Sequence, residues 1–340
     1  MRAKPAAVIA GIGSYVPEGV VTNKHVDDKL THFRLLRVGN MLEKITGVKE
    51  RRHAAEGVQA SDLAVAAAGE ALGDSGHSPL DIDTILFAAC SRDLGEPATA
   101  SIVQAKLGAL NATRVMDVAN ACNSFCSALE MMEAMIASGK TKVGLVVSGE
   151  RLSTFVDWGL KNPAELKLGF AALTLGDGGG AFVLTPNLKN EDRGIVASQF
   201  YADGREWPLS VVMGGGTISP RKPDDTYFKC DSLGLNKLAL KHVPVVIEQV
   251  MKHAGWKLKD LDLIVPHQVS MSIIKKIAKR LKYPLEKISV TLDRLGNIGA
   301  ASIPIALNAA IKEGRVGRGS RVLLVVGAAG FSAGAILILL

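Results

Sequence analysis

The longest apolar run in the chain, Val322–Leu340, reads VLLVVGAAGFSAGAILILL and holds one polar side chain, Ser332. Nineteen such residues are long enough for a membrane helix. The internal pattern predicts something else. Two blocks of Val, Leu and Ile flank the glycine-rich break GAAGFSAG, as in two buried strands joined by a turn. The same grammar recurs upstream. ALGDSGHSPLDIDTILFAACS (71–91) and MKHAGWKLKDLDLIVPHQVS (251–270) each run as a helix stopped at a Gly, Gly76 or Gly255. Seven residues later each has an Asp, Asp83 or Asp262, and then an apolar strand. EAMIASGKTKVGLVVSGE (133–150) and NAAIKEGRVGRGSRVLLVVGAAG (308–330) form a second matched pair. A helix–strand–helix–strand order that appears twice predicts a duplicated α/β fold of parallel strands covered by helices. We place the halves at 1–184 and 185–340. The C-terminal run is then the counterpart of a first-half strand, and no membrane span is expected.

Composition narrows the function classes. The chain has 340 residues, of which 48% are hydrophobic and 21% charged, so it can bury a large core. Aromatics make up only 5% while glycines number 35, a balance suited to close packing and tight turns. The net charge of +7 is modest, and the aromatics are scattered away from the late basic cluster, which argues against nucleic-acid binding. Four cysteines do not make a disulfide framework. No CxxC occurs and no His sits at ligand spacing, so no metal site is expected. The first residues lack an apolar signal-peptide core, and a cytoplasmic location is expected.

The candidate chemistry lies where apolar strands end. In DVANACNSFCSAL (117–129), Cys122 stands where a strand passes into a helix, on what reads as the helix's first turn. Free N–H groups and the positive end of the dipole there favour thiolate, the reactive form. Cys126, a turn further in with Phe125, Leu129 and Met132, reads as a buried hydrophobe. His267 follows the apolar strand of LDLIVPHQ, and Asn297 precedes the small-residue helix start of GNIGAASIPIAL. On their own, Cys122 reads as nucleophile or core filler, His267 as acid/base or structural, and Asn297 as polar stabiliser or cap. LGDGGGAF (175–182) and GAAGF (327–331) read as turns, or as loops bringing N–H groups to a reacting carbonyl.

Taken together, GIGSYVPEGVVTN, TGVKERR, DVANACNSF, LGDGGGAFVL, VPHQVS, VTLDRLGNIGAASIPIAL and GAAGF resemble the ketoacyl synthase III group of the thiolase superfamily. The resemblance covers nearly the whole chain. It implies a duplicated five-layer αβαβα fold, a homodimer, and a Cys–His–Asn triad on Cys122, His267 and Asn297. It places the oxyanion hole on the backbone N–H of Cys122 and of Ala329, which stands where the group usually has Gly. The implied substrates are thioesters of coenzyme A or of acyl carrier protein, with no further cofactor and no metal.

Three departures sharpen this expectation. Glu96, in SRDLGEPATASIV, stands where priming synthases carry a bulky apolar residue contributed across the dimer interface. The subgroup that joins two acyl chains head to head, and related pyrone-forming synthases, have Glu there. A malonyl donor makes its carbanion by losing CO₂, whereas a plain acyl donor must lose a proton, which a carboxylate can take. Met41 and Ile45 replace the Trp and Arg of the group's coenzyme A clamp. Lys275, Lys276, Lys279, Arg280 and Lys282 crowd one short stretch, a solvated face or a docking face for carrier protein or coenzyme phosphates. The expected reaction is Claisen condensation of two acyl thioesters through acyl-Cys122, with help from Glu96, giving a β-ketoacid or pyrone-type product. The rivals are malonyl-dependent condensation in fatty-acid or polyketide synthesis and acyl transfer to oxygen or nitrogen.

Overall fold

In a computed structural model of the chain, which describes residues 4–189 and 191–340, the apolar blocks form two mixed sheets. The first contains β1 (Ala7–Tyr15), β2 (Thr84–Ala88), β3 (Arg114–Val118), β4 (Gly144–Arg151) and β5 (Asp177–Pro186) in the order β1-β5-β4-β2-β3. β2 runs parallel to β3 and β4, while β4–β5 and β5–β1 are antiparallel. The second contains β6 (Gly194–Ala202), β7 (Leu263–Pro266), β8 (Arg321–Ala328) and β9 (Ser332–Leu339) in the order β7-β8-β9-β6. β7–β8 is parallel and the other two pairs are antiparallel. Order and sense repeat those of the first sheet. Even the place of β3 is marked, by a single parallel bridge between Ile288 and Ile264.

Six helices complete the layers: α1 (Ala60–Ser75), α2 (Thr99–Leu107), α3 (Ser124–Ala137), α4 (Ser232–Ala254), α5 (Met271–Leu281) and α6 (Ser302–Lys312). α1 and α2 cover the outer face of the first sheet. α3 and α6 fill the space between the sheets, and α4 and α5 cover the outer face of the second. The order is αβαβα, with one apolar core on each side of each sheet.

The repeated Gly and Asp have matching structural jobs. Gly76 and Gly255 end α1 and α4 in left-handed conformations, φ +72° and +58°, where a Cβ is strained. Asp83 accepts the N–H groups of Lys142 (2.7 Å) and Val143 (3.2 Å) just ahead of β4. Asp262 accepts that of Arg321 (2.8 Å) at the start of β8. Each carboxylate thereby fixes where its neighbouring strand begins. The C-terminal run forms β8 and β9, an antiparallel hairpin buried within the second sheet. Among the described residues no helix is long and apolar enough to cross a membrane.

The glycines have a specific task beneath α1. A Cβ built on Gly149, Gly179, Gly13 or Gly11 would lie 1.9, 2.1, 2.3 or 2.3 Å from the carbonyl oxygen of Ala60, Leu63, Ala67 or Ala71. Those four helical residues form one stripe of α1, so the helix backbone rests directly on β4, β5 and β1. Gly149→Ala should therefore destabilise the fold by more than about 2 kcal/mol, because backbone and not a flexible side chain must move. Gly73→Ala, on the exposed side of the same helix with open space around it, should stabilise by up to about 1 kcal/mol. Paired urea-denaturation curves check both signs.

Candidate active site

β3 ends at Val118, and the chain turns before α3 begins at Ser124. Cys122 lies in that turn, two residues ahead of the helix and not in its first turn as the pattern predicted. Ala121 adopts φ +47° to make the bend. Asn123 N–H donates to Asn120 O (2.9 Å), and Asn120 N–H donates to Ser124 Oγ (2.8 Å). Ser332, at the start of β9, donates its hydroxyl to Asn120 Oδ1 (3.1 Å) and accepts from Asn123 Nδ2 (3.4 Å). The turn around Cys122 is thus tied to the other half of the molecule. Cys126 is fully buried among the apolar residues between the sheets, and burial pushes its thiol up to about 12.

His267 is the first residue past β7, and its N–H donates to Val325 O (2.8 Å). Its ring is buried, with no partner on Nδ1. Asn297 is gripped by the first half. Its N–H donates to Thr174 O (2.9 Å) and its carbonyl accepts Gly176 N–H (2.9 Å). Asn297 Oδ1 accepts Gly299 N–H (3.0 Å), which leaves Nδ2 as the group the carboxamide can offer to a ligand. LGDGGGAF therefore works differently from a loop over a reacting carbonyl. Leu175 and Gly176 pair with Asn297, and Gly178–Gly180 lie inside β5.

Cys122, His267, Asn297 and Ala329 all line one cavity of about 590 Å³, shared between the two halves. From the stretch 154–175, Phe155, Phe170 and Leu175 reach its wall. Cys122 carries the electrostatic signature of a nucleophile. A hydrogen bond from Cys90 holds its thiol well below the ordinary range, aided by His267 and opposed by burial. The thiol of Cys90 is held well above its ordinary value by that same bond, by burial and by the charge of Glu150. Glu150, at the end of β4, is completely buried. It accepts the N–H of Cys90 (2.8 Å), Ser91 (2.9 Å) and Ala300 (3.0 Å) and the hydroxyl of Ser91 (2.8 Å). Burial raises its carboxyl to about 7 against those donors.

Cys90 and Glu150 were missed in the sequence. Both end otherwise apolar strands, TILFA and GLVVSG, which is the position that singled out His267 in the other half. Glu96 lies elsewhere. Leu94 and Gly95 line the cavity, but the Glu96 side chain is exposed and does not. Ile45 lines the cavity and Met41 does not. α5 starts at the cavity, with Ser270 and Ser272 on its wall, and exposes Lys275, Lys276, Lys279 and Arg280. Arg280 donates to Leu240 O on α4 (2.8 Å). Among the described residues no three His, Cys, Asp or Glu side chains group as metal ligands.

Comparison with known proteins places the chain in a family. Residues 116–204 match the profile 3-Oxoacyl-[acyl-carrier-protein (ACP)] synthase III, and residues 251–340 match its C-terminal counterpart. The chain is 37% identical over 335 residues to beta-ketoacyl-[acyl-carrier-protein] synthase III of Neisseria gonorrhoeae, covering 98% of both. It is 34% identical to the Bordetella petrii enzyme of that name, covering 97% of both. The crystal structure of 3-oxoacyl-[acyl-carrier-protein] synthase III from Aquifex aeolicus aligns with TM-score 0.85 at 33% identity, over 98% of this chain and 100% of that one. Cerulenin-bound OleA of Xanthomonas campestris aligns with TM-score 0.89 at 27% identity, over 98% and 97%. The fold and the cavity define a condensing enzyme of the acyltransferase class. The chain belongs to the 3-oxoacyl-[acyl-carrier-protein] synthase III family, with the thiolase-type fold.

Glu150 gives a stability prediction. Its carboxyl, at 4.5 in an unfolded chain, rises to about 7 in the folded one. The folded state therefore holds a proton that the unfolded chain releases. The stability from this group is full below pH 4.5 and is lost as pH rises through 7, on the order of 3 kcal/mol in all. The thermal midpoint of Glu150→Gln should fall less between pH 5 and 8 than that of the unsubstituted protein.

Proposed function

We propose that this enzyme condenses two acyl thioesters, with Cys122 carrying the first acyl group and Glu96 of a second copy deprotonating the other. The Cys122 thiolate attacks the carbonyl carbon of the first thioester and expels its thiolate. The Glu96 carboxylate takes a proton from the α-carbon of the second thioester. The resulting carbanion attacks the acyl-Cys122 carbonyl, forming a carbon–carbon bond and returning Cys122 as thiolate. His267 and Asn297 Nδ2 donate to the enolate oxygen, and the backbone N–H groups of Cys122 and Ala329 face the oxyanion. The β-ketoacyl thioester is released, and water cleaves it to a β-ketoacid and free thiol; where the chain on Cys122 is itself β-ketoacyl, the product's δ-enol oxygen attacks the thioester carbon instead and closes a pyrone-type ring, expelling the thiol.

The observation that carries this reading is a second, narrow apolar slot of about 70 Å³ beside the large cavity. It lies between α4, α5 and the second sheet, lined by Ala239, Val243, Ile274 and Ile277, and meets the large cavity at His267 and Val269. Two apolar spaces meeting at one catalytic point suit two acyl chains better than one short primer. The exposed Glu96 beside cavity-lining Gly95 fits a group that serves a neighbouring copy in a homodimer. The exposed lysines of α5, which begins at the cavity wall, suit an acidic carrier protein or coenzyme phosphates. A second reading, malonyl-dependent condensation on a carrier protein, is favoured by the likeness to the Neisseria and Bordetella enzymes named beta-ketoacyl-[acyl-carrier-protein] synthase III.

Incubation with long-chain acyl-coenzyme A alone separates the two. The favoured reading expects a coupled product by mass spectrometry. Glu96→Gln should cut coupling by about 100-fold or more while the acyl adduct on Cys122 still forms. Cys122→Ala should lose that adduct in an intact-mass assay. Product formed only with a malonyl donor supports the second reading instead.

A further inference from the structure

The face of α4 that lines the narrow slot is apolar except at one position. Asn236, Ala239, Val243 and Ile247 follow one another at helical spacing, and all four line the slot. Asp231 sets the phase of this stripe by capping α4, where it accepts the N–H groups of Leu233 and Gly234 (3.2 Å each). The polar member of the stripe sits at the neck. Leu235, Asn236, His267, Val269, Ser270 and Gly327 line both the slot and the large cavity. Of the polar side chains in the neck, His267 serves the proposed reaction. Ser270 Oγ caps α5, accepting Ser272 N–H (3.2 Å) and bonding Ser272 Oγ (2.9 Å). The half-buried carboxamide of Asn236 has no hydrogen-bond partner among the described residues. An unsubstituted chain drawn through the neck strips water from that carboxamide and gives nothing back, whereas an oxygen on the chain restores the bond.

We propose that Asn236 selects acyl groups with an oxygen on C3, its Nδ2 donating to the keto group of a 3-oxoacyl chain carried by Cys122. The proposal rests on Cys122 as the acyl carrier and on the slot as the seat of its chain. Gly327, in the neck, stands two residues before Ala329, whose N–H faces the oxyanion of acyl-Cys122 in the proposed reaction. The neck therefore receives the first carbons beyond the carbonyl, C2 and C3, and the slot receives the apolar remainder. A wholly apolar neck would take plain and 3-oxo chains alike. A carboxamide there favours the oxygenated chain, because a site built to hydrogen-bond a substrate group rejects the analogue that lacks it. An oxygen on C3 is what a Claisen condensation leaves behind. An earlier condensation must then supply this substrate, and the product formed from it carries the δ-oxygen that closes a ring.

The test is single-turnover transfer of the acyl group from the coenzyme A sulfur to the Cys122 sulfur, with coenzyme A thiolate leaving. Intact mass follows the adduct from 3-oxododecanoyl- and from dodecanoyl-coenzyme A. The unsubstituted protein should load the 3-oxo chain about tenfold faster at subsaturating concentration. Asn236→Leu should slow the 3-oxo chain and quicken the plain one, which brings the ratio to about one. If Asn236→Leu does not fold, Asn236→Asp makes the same comparison at constant shape, since it keeps the outline and removes the donor. Equal loading in the unsubstituted protein, or a preference that survives both substitutions, overturns the proposal and leaves Cys122 as carrier and the coupling of two acyl chains standing. Equal slowing of both substrates in both variants overturns it too, since packing and not donation is then at work. Faster loading of 3-hydroxydodecanoyl-coenzyme A than of the 3-oxo thioester overturns the choice of a keto group. Failure of every chain to load overturns the assignment of Cys122 and the proposal with it.

Discussion

Asn297 belongs to the second half of the chain, yet its backbone is held by the first. Thr174 O and Gly176 N–H take its N–H and carbonyl. Gly296, at φ +73°, brings the two segments so close that a Cβ there would lie 2.4 Å from Thr174 O. A few residues on, Ala300 N–H donates to Glu150, which also holds Cys90 and Ser91. Ser332 completes the stitching by bonding the turn that carries Cys122. The cavity exists in its present form because these cross-half bonds fix the distance between Cys122 on one side and His267 and Asn297 on the other. Cys122 and His267 lie just past strand ends and Asn297 in a turn ahead of α6, so sheet packing alone would leave their mutual spacing loose. The polar staples supply what packing does not.

The duplication was readable because its carriers are local. A helix stop at Gly and a clamping Asp seven residues later are short-range features, and they recur with unchanged spacing. The C-terminal hairpin was readable because a glycine break divides two strand-length blocks. Cys122, His267 and Asn297 were nameable as candidates from their places at element ends, and the family resemblance then selected them from blander alternatives. Cys90 and Glu150 escaped because their significance lies in what they meet across the fold. Nothing within TILFAACS announces that the backbone of its cysteine meets a buried carboxylate 60 positions later in the chain. LGDGGGAF was misread for a similar reason. Glycine runs signal loops locally, but here they give helix α1 and the segment around Asn297 a surface without side chains.

In the proposed reaction Cys122 acts twice, first as nucleophile and later as leaving group. Lowering a thiol's pKa raises its thiolate fraction and makes it leave more readily, but blunts its intrinsic nucleophilicity. A full cationic partner would push far along that trade. The Cys122 thiol sits between those limits: Cys90 and His267 favour its charged form and burial opposes it. Glu150 meets a different trade. Burial resists its ionisation and raises the energy of the folded protein at neutral pH. In exchange its carboxylate takes four donors from Cys90, Ser91 and Ala300, and so joins the end of β4 to segments from both halves.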